Sequence, residues 1–135
     1  MAVDKIEYGG VLYAFVVRSD TSTPDAVSFL TPDDYPLQLG LIERGAGYAF
    51  RPHIHRDMRY DVNTTQEVLY VERGRMRATI YTHDWEVIAQ TELGAGDLLF
   101  SITGGHGFEV LDDVRLIEVK QGPYPGDHYA KRFQD

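Results

Sequence analysis

No stretch of this chain sustains an apolar repeat of period 3.6 over three helical turns; its Val, Ile, Leu, Phe and Tyr residues fall in short runs cut by Gly or Pro. That punctuation disfavours a helical bundle and leaves strands joined by turns. The pattern predicts strands at about Val11–Val17, Val27–Leu30, Leu37–Arg44, Ala49–His55, Glu67–Arg73, Arg75–Thr82, Glu86–Leu93, Asp97–Ile102, His106–Leu111 and Val114–Lys120. Tight connections are expected at His83-Asp84 and at Glu72-Arg73-Gly74-Arg75, with a loop at Thr31–Pro36. About ten short strands at this spacing predict an all-β fold, a closed barrel or double-sheet jelly roll, because closure removes exposed strand edges. Pro123 and Pro125 open an irregular tail over 121–135, so one domain is expected over 1–135, with its barrel at about 11–120.

Composition narrows the partners. The 135 residues suit a single core. Thirteen Lys and Arg against twenty-one Asp and Glu give a net charge of −8, the wrong sign for a nucleic-acid binder that works by releasing counterions. The absence of cysteine excludes disulfides, thiolate catalysis and Cys-ligated zinc. The N-terminus has no basic segment followed by an apolar one, and no apolar run is long enough to span a bilayer. A soluble, cytoplasmic protein without nucleic-acid or membrane partners is expected.

The sharpest local feature is Pro52-His53-Ile54-His55. On an extended backbone, residues i and i+2 leave the same face, so both imidazoles would point together as half of a divalent-metal site. Gly47 precedes this pair, and Glu67 follows it at the head of Val68-Leu69-Tyr70-Val71, before Gly74. Farther on, Gly96-Asp97 leads into Gly104-Gly105-His106-Gly107-Phe108. In this order the residues resemble the two motifs of the cupin superfamily. Gly47, His53, His55, Glu67 and Gly74 match the first motif; Gly96, Asp97, Gly104 and His106 match the second.

The resemblance implies a double-stranded β-helix, the cupin jelly-roll barrel, holding one divalent ion (Fe, Mn, Zn, Ni or Co) on His53, His55, Glu67 and His106. Two departures qualify it. The insertion Arg56–Gln66 separates His55 from Glu67, and Ile102 stands where the second motif usually has proline. Either the insertion loops out at the barrel mouth and leaves Glu67 in place, or it displaces Glu67 and leaves three histidines or recruits Asp57 or Asp61. The tracts Thr65–Leu69, Gly104–Glu109 and Ile117–Tyr124 are similar to those of small cupins associated with nucleotide-sugar and surface-polysaccharide synthesis.

Strand alternation supplies further candidates. Glu67 shares a face with Leu69 and Val71, and His106 with Phe108 and Val110. Arg51 would share a face with His53 and His55 and clamp an anionic group, with Arg56 and Arg59 on the insertion acting as a lid. If the Leu116 face looks inward, Glu118 and Lys120 become buried acid–base candidates; if it looks outward, they are an exposed pair. Tyr48 and Tyr60 fall near the expected mouth, whereas His83 and His128 are expected at the surface. The expected function is that of a metal-binding cupin enzyme acting on a small polar molecule, neutral or anionic, such as a sugar or nucleotide-sugar, by isomerisation or epimerisation. The alternatives are an Fe(II)-dependent dioxygenase or a non-catalytic sensor that anchors its ligand on the metal. A homodimer is expected, with the first ten or so residues supplying an exchanged or docked edge strand.

Overall fold

The computed structural model describes residues 3–135. In chain order its elements are β1 (Asp4–Tyr8), β2 (Val11–Val17), β3 (Val27–Phe29), β4 (Gly40–Ile42), β5 (Glu67–Tyr81), β6 (Val87–Gly94), β7 (Leu98–Ser101), β8 (Gly105–Lys120) and α1 (Asp127–Ala130). Six strands form one curled antiparallel sheet in the order β1-β2-β7-β5-β6, with β8 on the remaining edge of β5; β3 and β4 form a separate hairpin. The all-β expectation holds. No helix among the described residues is long and apolar enough to cross a membrane.

The curl comes from β5. One edge of this strand pairs first with β7, over Glu67–Tyr70, and then with β6, over Arg75–Tyr81, while β8 follows the other edge along its length. Between the two halves the β5–β8 register slips repeatedly around Val71–Met76. Such bulges bend a strand and raise its twist, which lets one strand serve two parts of a sheet. Gly74 sits in this bend at φ +90°, and a Cβ there would run into the backbone of Asp113 and Val114.

This bend corrects two sequence expectations. The turn expected at Glu72–Arg75 and the break expected at Asp112-Asp113 are both strand interior, so four short strands become the two long ones, β5 and β8. The left-handed glycine is absorbed by a bulge rather than a hairpin because β8 bends beside it. The strand expected at Ala49–His55 is also absent: this segment is irregular and exposed. Pro52 removes a ladder donor, and no strand among the described residues pairs with the segment. Conversely, β1 was not anticipated as a strand of the barrel; it docks on β2 of its own chain.

Each face of the sheet has its own apolar cluster. Alternate residues Leu69, Val71, Met76, Ala78 and Ile80 of β5 pack with Val16, Leu93 and Leu99 on the concave face. Phe15 and Phe100, directly opposed across β2 and β7, stack with ring centroids 4.9 Å apart on the other face, beneath Leu30, Tyr35, Leu37 and Leu39. Asp97 ties the β6–β7 turn together. Its carboxylate accepts from Gly94 N at 2.9 Å, Ser19 N at 2.9 Å and Arg18 Nη1 at 3.2 Å.

Candidate active site

Antiparallel register sets the site. Ala14, Ser101, Glu67 and Lys120 lie opposite one another across β2, β7, β5 and β8, and directly opposed residues point to the same face. On the next inward rung, Leu69 faces Glu118. Because Glu67, Leu69 and Val71 are buried, the Leu116, Glu118 and Lys120 face of β8 looks inward, but of its two charged residues only Lys120 is half-buried and Glu118 is exposed.

His106 enters from the start of β8, which the curl returns to Glu67. Its Nε2 lies 2.9 Å from Glu67 Oε1, and its Nδ1 lies 3.1 Å from Ser101 Oγ. The Glu67 carboxyl shares a hydrogen bond with Glu118, and Lys120 Nζ lies 3.5 Å from Glu118 Oε1. Ser101, His106, Glu67, Glu118 and Lys120 therefore form one connected polar row. With Nε2 turned to the Glu67 carboxylate and Nδ1 to the Ser101 hydroxyl, both ring nitrogens are engaged and the imidazole is held from two sides. Ser101 is 7% exposed and serves to orient the ring.

Two carboxyls side by side hold their protons differently. Burial pushes Glu67 up, but the hydrogen bonds from His106 and Glu118, with the charges of His106 and Lys120, outweigh it and hold this carboxyl below its usual range. The hydrogen bond to Glu67 raises Glu118, helped by burial and by the Glu67 charge, against the opposing effect of Lys120. Of the two coupled carboxyls, Glu118 is the one pushed up and Glu67 the one held down.

Glu67, Ser101, His106 and Lys120 line a cavity of about 590 Å³. It is also lined by Tyr81, His83 and Trp85 and by the C-terminal tail, through Tyr124, Arg132 and Phe133. The tail is irregular apart from α1, and it folds back over the opening.

The residues expected from the sequence fall into two groups. Glu67, His106, Glu118 and Lys120 come together as described. His53 and His55 contact each other, with ring centroids 5.1 Å apart, but they are exposed on the irregular segment and do not line the cavity. His53 Nδ1 lies 2.8 Å from the Arg51 carbonyl. Arg51, Arg56 and Arg59 are exposed on the same segment, outside the cavity lining. Tyr48 is half exposed, with the Arg44 guanidinium 4.2 Å from its ring centroid. His83 and His128 are both exposed as expected, and His83 also lines the cavity.

The four metal ligands implied by the resemblance are therefore split two and two. Among the described residues, no group of three or more His, Asp or Glu side chains is placed to hold an ion. As placed, these four side chains do not form one four-donor set. Sequence reasoning missed Ser101, although its alternation with Leu99 on β7 was a usable signal; it also missed Trp85 and Arg132, which carried none.

Comparison with family models, characterised proteins and solved structures returned no match. What stands from structure alone is an all-β chain with a curled antiparallel sheet and a polar row on its concave face.

Proposed function

We propose that this chain is a cupin-type enzyme that carries out acid–base chemistry on a small polar molecule, a sugar or nucleotide-sugar, in the manner of an isomerase or epimerase. The curled sheet is read as part of the jelly roll that the sequence resembles. The observation that carries the proposal is the connected row of Ser101, His106, Glu67, Glu118 and Lys120, all of which except Glu118 line the cavity. A carbon acid beside a carbonyl needs a base for its proton and a cation for the developing enolate oxygen. Glu67 supplies the carboxylate, and its partner Glu118 takes up charge or proton as Glu67 changes state. Lys120 supplies the cation. The C–H bond breaks to give an enolate with the proton on Glu67; delivery of that proton to the neighbouring carbon completes isomerisation, while epimerisation has water protonate the opposite face and Glu67 return its proton to solvent, neither needing a redox partner. His106, held by Ser101 and Glu67, orients the base.

The test is carbon-bound hydrogen exchange in D2O, followed by NMR across nucleotide-sugars, aldose and ketose phosphates and small hydroxy acids. Exchange into one substrate, lost at least about 100-fold in Glu67→Gln, is expected for a general base, whose contribution is typically 10²–10⁴-fold. Binding without exchange in any of them would identify a ligand-binding protein. Metal analysis of untagged chain beside the His53→Ala, His55→Ala double variant tests the four-donor centre independently: metal bound by the native chain and lost from the variant would establish that centre and displace this mechanism.

A further inference from the structure

The chain carries a net charge of −8, yet the charged side chains lining its cavity, histidines aside, are Lys120, Lys131 and Arg132 against the single carboxylate of Glu67. A cleft whose sign opposes that of the whole molecule concentrates a ligand of matching charge. The three cations differ in how far they are committed. Lys120 is shared with Glu118 at 3.5 Å and with the Tyr124 ring at 4.2 Å, and Lys131 pairs with Asp127 at 3.0 Å. Arg132 has no carboxylate partner among the described residues. It is nevertheless positioned: Nη2 donates to the His83 carbonyl at 2.7 Å, and the guanidinium carbon lies 5.2 Å from the Trp85 ring centroid. A planar fork held by one hydrogen bond and one aromatic face, with its remaining N–H groups unengaged, suits a two-oxygen anion. The arginines that the sequence suggested for this task, Arg51, Arg56 and Arg59, lie outside the cavity.

We propose that the C-terminal strap, residues 123–134, completes an oxyanion subsite at the mouth of this cavity, with Arg132 as its principal donor. The ligand then carries a phosphate or carboxylate group that meets Arg132 beside the Trp85 ring. The proposal deepens the functional reading above by adding a substrate class to the same cavity, and its test requires no turnover.

Trp85 is the only tryptophan in the chain and lies against Arg132, so its fluorescence reports on the subsite directly. Inorganic phosphate, pyrophosphate and citrate are titrated at constant ionic strength, with chloride as the balancing anion. A saturable change in Trp85 emission is expected, weakened at least 10-fold in Arg132→Ala and partly restored in Arg132→Lys. The phosphate and citrate arms decide which oxyanion is preferred. An unresponsive Trp85 with all three anions would overturn the proposal. So would equal affinity in Arg132→Ala, or loss of binding in an Arg51, Arg56 and Arg59 triple variant instead. Glu67→Gln separates the two readings: it should abolish exchange while keeping the anion response, so a missing response condemns the subsite and missing exchange condemns the acid–base assignment.

Discussion

Glu43, Glu67 and Glu118 carry the same functional group, and their surroundings move them in different directions. The last two act on each other across the β5–β8 rungs, so the proton of one is the loss of charge of the other. Glu43 is simpler. Its carboxylate accepts from the Thr23 amide and the Ser22 hydroxyl, and these hydrogen bonds hold it below the usual range. It closes the base of the β3–β4 hairpin, where its own amide donates to the Ala26 carbonyl at 2.9 Å. A depressed folded-state value means that this contribution to stability is complete above the unfolded carboxylate pKa, about 4.3, and is lost as pH falls through the lower folded value. A carbon-detected NMR titration should therefore place the Glu43 inflection below the ordinary glutamate range. Ser22→Ala should raise it; an ordinary inflection in the native chain would contradict the assignment.

At the scale of elements, β5 and β8 are each long because a bend was built into the middle of the strand instead of a turn. Gly74 is the residue that allows it. Gly74→Ala should cost roughly 1–3 kcal/mol from the left-handed backbone alone, with the clash against Asp113 added to that. Urea unfolding should show a lower midpoint with an unchanged slope; an unshifted midpoint would mean that the bend tolerates a side chain. Sequence pattern located most of this sheet, since period-two alternation marks Leu69, Val71, Ala78 and Ile80 whichever way the strands are joined. It could not distinguish a bulge from a hairpin at Gly74, because both call for a left-handed glycine. Nor could it foresee that Ala49–His55 would stay unpaired, because a strand is defined by its neighbour and alternation says nothing of neighbours. Half of the candidate site was therefore legible: Glu67, Glu118, Lys120 and His106 follow from face and motif. The other half depends on where the tail returns, and neither Pro123 nor Pro125 encodes the contact of Arg132 with Trp85.

Across the whole molecule, β8 stands out as a sixteen-residue strand paired on one edge only, with Ile117 and Val119 exposed beside that edge. Long unprotected edges of this kind pair with other chains. With β1 already docked within its own chain, β8 is the edge best suited to carry the expected homodimer. Light scattering at micromolar concentration should give a dimer mass, and Ile117→Lys with Val119→Lys should give a monomer; a native monomer mass unchanged on dilution would contradict it. The same pairing governs the order in which the molecule assembles. Tyr81 meets Gly105 across a short intervening stretch, whereas Glu67 meets Lys120 only after more than twice as much chain has been gathered in. Loop-closure entropy grows with that length, so the ladder is easier to start at the Tyr81 end and to zip towards Glu67. The Glu67, Glu118 and Lys120 part of the polar row sits at the far end of the zipper and His106 at its start, so the row closes only when the whole ladder is in place.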